Sequence, residues 1–264
     1  MSARACLAGL LLLLVAAGSL TPYDPAKQQR EEANAAPSVQ HWFGTDGYGR
    51  DVASRFLAGG RWSVLAGAAA AAATLGLGWI VGSAAGWWGG AADLVLMRVA
   101  EVCLVLPWLY LLLAIRALLP LETPPRTAAA VLLLAVAAVS WARPARLVRG
   151  MVLGLKERGY VEAARGFGVP GPVIWWRHVL PGTLPLLFTQ WLVLFPRFVL
   201  LDVTLSLLGL GVAEPAPSWG ALLVPLKQAW MLPREWWVAL PALLVAVFFA
   251  VFSLLARKST NGVR

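Results

Sequence analysis

The stretch 159-GYVEAARGFGVPGPVIWWRHVLP-181 is basic and punctuated by Gly and Pro, and it interrupts a chain made mostly of Leu, Val, Ala and Trp. Glu162, Ala163 and Ala164 are good helix formers, so the segment reads as helical up to Gly168. Gly168 is the expected C-terminal stop, followed by Pro170 and Pro172, which cannot continue that helix. A second short helix is expected from near Pro172 to Val179, with Pro181 breaking it before the next apolar run. The expectation is a helix-turn-helix lying on a membrane surface. Such a structure can present a rigid knob to a soluble partner, or a basic loop to anionic lipid.

The surroundings of that loop set the class. Of 264 residues, 59% are hydrophobic and only 13% are charged, and mean hydropathy is +0.72. Soluble domains carry about a quarter charged residues, so this is an integral membrane protein. The fold class expected is all-α and polytopic, with about six spans: Ala5 to Leu20, Trp62 to Gly86, Val99 to Leu119, Thr127 to Trp141, Leu184 to Leu208 and Val238 to Ala256. The first run also reads as a secretory signal peptide, though a retained span is expected. The formal net charge of +9 is spread between apolar runs, not along one face, which excludes nucleic acid as a partner and leaves the lipid membrane. Cys6 and Cys103 are too few for a disulfide or metal framework and read as small buried hydrophobes.

Arg and Lys give the orientation. Arg143, Arg146, Arg149, Lys156, Arg158, Arg165 and Arg177 crowd one loop, and Arg257, Lys258 and Arg264 follow the last span. Both regions are expected to be cytoplasmic, as is the N-terminus, while the charge-balanced loop 21–61 lies outside. Residues 1–61 thus form a first span and external loop, 62–258 a membrane core with the loop 143–183, and 259–264 a tail. In 76-GLGWIVGSAAGWWGG-90, Gly78, Gly82 and Gly86 line one helical face. Packing within the chain is expected there in preference to a subunit interface. Trp62, Trp87, Trp88, Trp141, Trp236 and Trp237 fall at span ends and read as an interfacial belt.

Glu162-Ala163-Ala164, then Gly168, then His178, Leu180 and Pro181 resemble the EAA loop of permease subunits of bacterial ABC importers. The motifs 41-HWFGTDGYGRD-51 and 205-LSLLGLGVAEPAPSWGALL-223 point the same way, so the resemblance covers nearly the whole chain. The "RHVLP" form resembles the peptide and nickel branch, and the chain is similar to its C-type subunit. Departures are the short tail, Gly182 where the branch tends to have Asn, and Asp202 for a usual Glu. The resemblance implies a multi-pass subunit of a prokaryotic cytoplasmic membrane, paired with a second permease as a heterodimer. It further implies two cytoplasmic ATPase subunits that use ATP and Mg, docking at Glu162, Ala163, Ala164, Gly168, His178, Leu180 and Pro181, and an extracytoplasmic solute-binding protein.

Chemistry in the chain itself is limited. No Lys lies in a G-x-x-x-x-G-K-[ST] array, so no ATPase site, cofactor or metal site is expected, and the chain reads as a transporter subunit and not an enzyme. Glu101, Arg116, Arg197 and Asp202 lie in or near spans, where charge is costly, and are expected to face the bundle interior or water. Arg197, Asp202 and Glu101 are candidates for the translocation path, with Arg197 meeting a peptide carboxylate; a structural Arg197–Asp202 ion pair is the alternative. Pro107 either shapes that path by a kink or packs conventionally. Gly44, Thr45, Asp46, Gly49, Arg50 and Asp51 form either an ordered external cap with paired charges or a solvated turn. A self-sufficient channel or ion-coupled transporter is the competing class.

Overall fold

The computed structural model describes residues 3–120, 122–227 and 235–261. Arg264, invoked above for orientation, lies outside the described residues. Backbone polar groups have no water to bond in a bilayer core, so helices carry the spans. Among the described residues the only extended pairing is an isolated bridge between Thr45 and Asp51. The helices are α1 (Ala3–Ala17), α2 (Val52–Trp88), α3 (Gly90–Val105), α4 (Trp108–Leu118), α5 (Pro125–Ser140), α6 (Ala142–Lys156), α7 (Gly159–Gly166), α8 (Gly171–Ile174), α9 (Leu180–Leu207), α10 (Trp219–Leu223) and α11 (Leu240–Asn261).

Four continuous helices are long and apolar enough to cross a membrane: Val52–Trp88, Pro125–Lys156, Gly171–Leu207 and Trp236–Ser259. The expected third span is instead a pair, α3 and α4, bent by 82°. Pro107 explains the break, because the residue before a proline is driven to extended backbone and Leu106 has ψ 124°. α1 is apolar but has 15 residues, about 22 Å of helix against a core about 30 Å thick. The six expected spans thus resolve into four by length and composition, a bent pair and a short first helix.

The second half of the basic loop also differs from expectation. Pro181 does not end a helix. α8, a π-turn over Trp175–Val179 and α9 form one unbroken helix. A proline clashes with the carbonyl four residues back and offers no N–H. The π-turn absorbs this: Leu180 N–H reaches the Trp175 carbonyl, five residues back, and the widened turn accommodates Pro181.

The chain divides into two compact units. In the unit formed by Ala69–Leu118 and Leu134–Phe195, α2 meets α6 backbone to backbone through the predicted glycine face. A Cβ at Gly82 would lie 2.2 Å from the Ala145 carbonyl oxygen, at Gly78 2.7 Å from Pro144 Cβ, and at Gly86 2.9 Å from the Arg149 carbonyl oxygen. In the unit formed by Met1–Ala68, Leu119–Leu133 and Pro196–Arg264, Trp219 is wholly buried, stacked on Phe56 and edge-on to Phe248.

The tryptophan belt is a correction. Trp87, Trp141 and Trp237 are buried in their units, and among the six only Trp88 and Trp236 are well exposed. Their large rings fill space beside small residues, as Trp141 does against Ala100, Ala142 and Ala145. Cys6 and Cys103 are half-buried and free, not fully buried.

Gly82→Val should lower stability by about 2–3 kcal/mol, because α2 and α6 must separate to admit it. Gly76→Ala, in the same helix but with no atom within 4 Å of its Cβ, should be neutral or stabilising by about 0.5–1 kcal/mol. Thermal unfolding of the purified protein in detergent measures both.

Candidate functional site

The basic loop is built on a core of its own. Trp87, Val148, Val152, Val161, Ala164, Ile174 and Val179 form one buried cluster, drawing on α2, α6, α7 and the helix begun by α8. Val161 and Ala164 are three residues apart and share the inward face of α7, while Glu162 and Ala163 point to solvent. The end of α7 is a Schellman turn. Gly168 has φ 75°, its N–H reaches the Arg165 carbonyl at 2.9 Å, and Val169 N–H reaches the Ala164 carbonyl at 3.1 Å.

That turn pushes Phe167 outward until it is 88% exposed, with Tyr160 and Trp176 also exposed. The seven candidate coupling residues therefore divide. Glu162, Ala163, Gly168, His178 and Pro181 are exposed, whereas Ala164 and Leu180 are buried in the unit and belong to its support. Composition alone did not reveal Phe167, since an aromatic beside a turn is ordinarily core.

The knob is pinned to the end of α2. Lys156 Nζ donates to the Trp87 carbonyl at 2.7 Å, and Lys156 and Arg165 each stand 5.7 Å from the Trp87 ring centroid. Trp79 Nε1 donates to Thr183 Oγ1 at 2.9 Å, two residues beyond Pro181. Gly182 is also accounted for, since a Cβ there would meet the Leu155 side chain at 3.0 Å.

The motif before α2 is a second ordered site. Asp46 Oδ1 accepts the N–H groups of Tyr48 and Arg50, and its Oδ2 accepts from Arg50 Nε at 2.8 Å. Gly44 and Gly49 both have positive φ, and Gly49 could carry no side chain at all, its Cβ falling 1.8 Å from the Gln29 carbonyl oxygen. Thr45 is buried, its Oγ1 bonded to the Glu32 carbonyl and to Ala35 N–H. Asp51 caps α2 by accepting from Ser54 N–H at 2.7 Å.

The expected charge pairing is partly corrected. Arg50 does pair with Asp46, but Asp51 pairs with His41 Nδ1 at 2.9 Å. The partner that local spacing could not disclose is Glu214, from the 205–223 motif. It binds Arg50 Nη1 at 2.5 Å and Arg55 Nη2 at 3.0 Å, with both guanidiniums almost wholly buried. Burial alone would lower the affinity of Arg50 for its proton, but Glu214 and Asp46 outweigh it and hold the group above its ordinary value.

The proposed path residues do not form one cluster. Arg197 is exposed and, among the described residues, has no ion-pair partner. Asp202 is buried and accepts from Ser63 Oγ at 2.8 Å, and the same Oγ accepts Trp219 N–H at 3.1 Å. The five-residue offset had turned Arg197 away from Asp202, and α9 stays helical through Pro196. Glu101 is half-exposed and pairs with Arg98 at 2.8 Å and Arg146 at 3.5 Å. Among the described residues no group of three or more His, Cys, Asp or Glu side chains is placed to hold a metal ion.

The chain is all-α among its described residues, with apolar helices long enough to cross a membrane and a basic helical knob packed between two of them. Residues 62–264 match the family described as binding-protein-dependent transport system inner membrane component, and the chain belongs to that family. It is 32% identical over 259 residues to the dipeptide transport system permease protein DppC of Bacillus subtilis, covering 96% of this chain and 79% of that one. It is 32% identical to the oligopeptide transport system permease protein OppC of Haemophilus influenzae (94% and 78% covered). It is 34% identical to the probable D,D-dipeptide transport system permease protein DdpC of Escherichia coli (92% and 80% covered). The chain is thus a permease subunit of an ABC importer and part of a multi-subunit transport system.

Glu214→Ala should cost about 1–3 kcal/mol by leaving donors of two buried guanidiniums unpaired. Adding Arg55→Met to it should recover a good part of the loss, since Arg50 keeps Asp46. Thermal unfolding of single and double variants gives the comparison.

Proposed function

We propose that this chain is one of two permease subunits lining the path of an ATP-driven importer of peptides, and that α7 and α8 couple it to separate ATPase subunits. The single observation that carries the reading is the outward face of α7. Glu162, Ala163 and the 88%-exposed Phe167 stand on a buried core shared with the end of α2. A force on that face moves a packed body and not a loose loop, which a machine with ATP binding in one polypeptide and translocation in another requires. ATP and Mg bind in the ATPase subunits, and this chain contributes no phosphate-cradling loop.

Peptide cargo is supported by the names of the relatives, which are permeases for dipeptides, oligopeptides and D,D-dipeptides. The orientation puts the knob and both termini in the cytoplasm and the motifs at 41–51 and 205–223 outside. There the braced cap around Arg50 and Glu214 faces the solute-binding protein. Arg197, exposed on α9, is kept as a path residue that meets a peptide carboxylate, whereas Asp202 serves as a buried tie between α9 and Ser63 of α2.

Phe167→Ala and Ala163→Trp should leave membrane levels near wild type, because neither side chain is buried, yet lower uptake tenfold or more and reduce recovery of the ATPase subunits. Wild-type recovery, substrate-stimulated hydrolysis and uptake in both would reduce the loop to a solvated basic surface. For orientation, Cys at Ala213 should react with an impermeant thiol reagent from outside and Cys at Gly171 should not.

A further inference from the structure

We infer that the seam between α3 and α6 holds the phosphate of an anionic phospholipid, bridged by Arg98 and Arg146. On α3, Leu94, Val95, Val102 and Val105 are all at least 60% exposed. At about 100° per residue they share one stripe, and Arg98 falls in its middle. A guanidinium 72% exposed within an apolar stripe is the pattern of a side chain lying along hydrocarbon with its head in the headgroup layer.

The charge count leaves room for an anion. Across the seam, among the described residues, Arg98, Arg146 and Arg149 pair only with Asp93 and Glu101. Arg149 is consumed by Asp93 through two contacts of 2.5 Å. Glu101 alone is shared between Arg98 and Arg146, so one positive charge is uncompensated, and exposed Arg143 stands one turn before Arg146. Arg146 and Glu101 are themselves 45% and 46% exposed. A protein partner would be expected to desolvate such a cluster, and interface cores are depleted in charge, whereas a hydrated headgroup phosphate keeps water and accepts from both guanidiniums. Basic pockets between helices near the cytoplasmic face suit this chemistry.

The inference rests on the cytoplasmic placement of the start of α3, which the labelling at position 171 tests separately. The intact transport complex would be reconstituted in vesicles of phosphatidylcholine alone or with 30% phosphatidylglycerol, extracted, and its retained lipid counted by native mass spectrometry. Wild type should retain phosphatidylglycerol in preference to phosphatidylcholine, and Arg98→Gln and Arg146→Gln should each lower that preference about fivefold. Arg98→Lys should keep most of it. Glu101→Gln should raise it, because the internal competitor for both guanidiniums is gone. Arg30→Gln, on an exposed turn far along the chain, should change nothing. Unchanged retention in the two glutamine variants, or lower retention in Glu101→Gln, would overturn the inference. Loss of the second permease subunit from Arg98→Gln in both lipids would do so too, by showing that protein covers the seam.

Discussion

The approach of α2 to α6 without side chains between them is the constraint on which its unit depends. In a bilayer, apolar side chains gain little by leaving lipid for one another, so close dispersion contact has to hold helices together. Gly78, Gly82 and Gly86 permit that contact, the first two receiving Ala145 and the last Arg149 and Val152. Once α6 is seated, Val148 and Val152 present a fixed platform, and Val161, Ala164, Ile174 and Val179 close over it. The knob is thus seated through three missing side chains, the last of which, Gly86, lies against Val152 of the knob's own core.

The other unit is organised by polar contacts. Glu214 and Asp46 hold two buried arginines, Asp51 caps α2 while bound to His41, and Ser63 links Asp202 to the backbone of Trp219. Gly59 and Gly60 let the start of α10 lie on α2, since Cβ atoms there would fall within 3.0 Å of Ser218 or Trp219. Buried guanidiniums are costly unless their donors are met, so this arrangement is specific and has little tolerance for loss of one partner.

Two of the departures from local reasoning share a cause. Pro181 was expected to break a helix, and an Arg197–Asp202 pair stood as the alternative to a path role, because each was judged by its neighbours in sequence. A proline is a breaker only if the turn before it cannot widen, and here Trp175–Val179 does widen. Asp202 needed a donor on its own side of α9, and Ser63, 139 residues away in sequence, supplies it.

Much of this protein was legible in the chain itself. Apolar runs dictate helical spans, the four-residue glycine period dictates a packing face, and Gly168 dictates the turn after α7, because each follows from backbone geometry and solvation over a few residues. Asp46 and Arg50 likewise meet across a local turn. Tertiary structure alone decided which members of the loop face solvent, making Phe167 exposed and Ala164 buried, and which tryptophans are core. It alone joined Arg55 to Glu214, since the energy of burying a charge is settled by whatever partner the fold brings to it, and that partner leaves no mark in the local pattern.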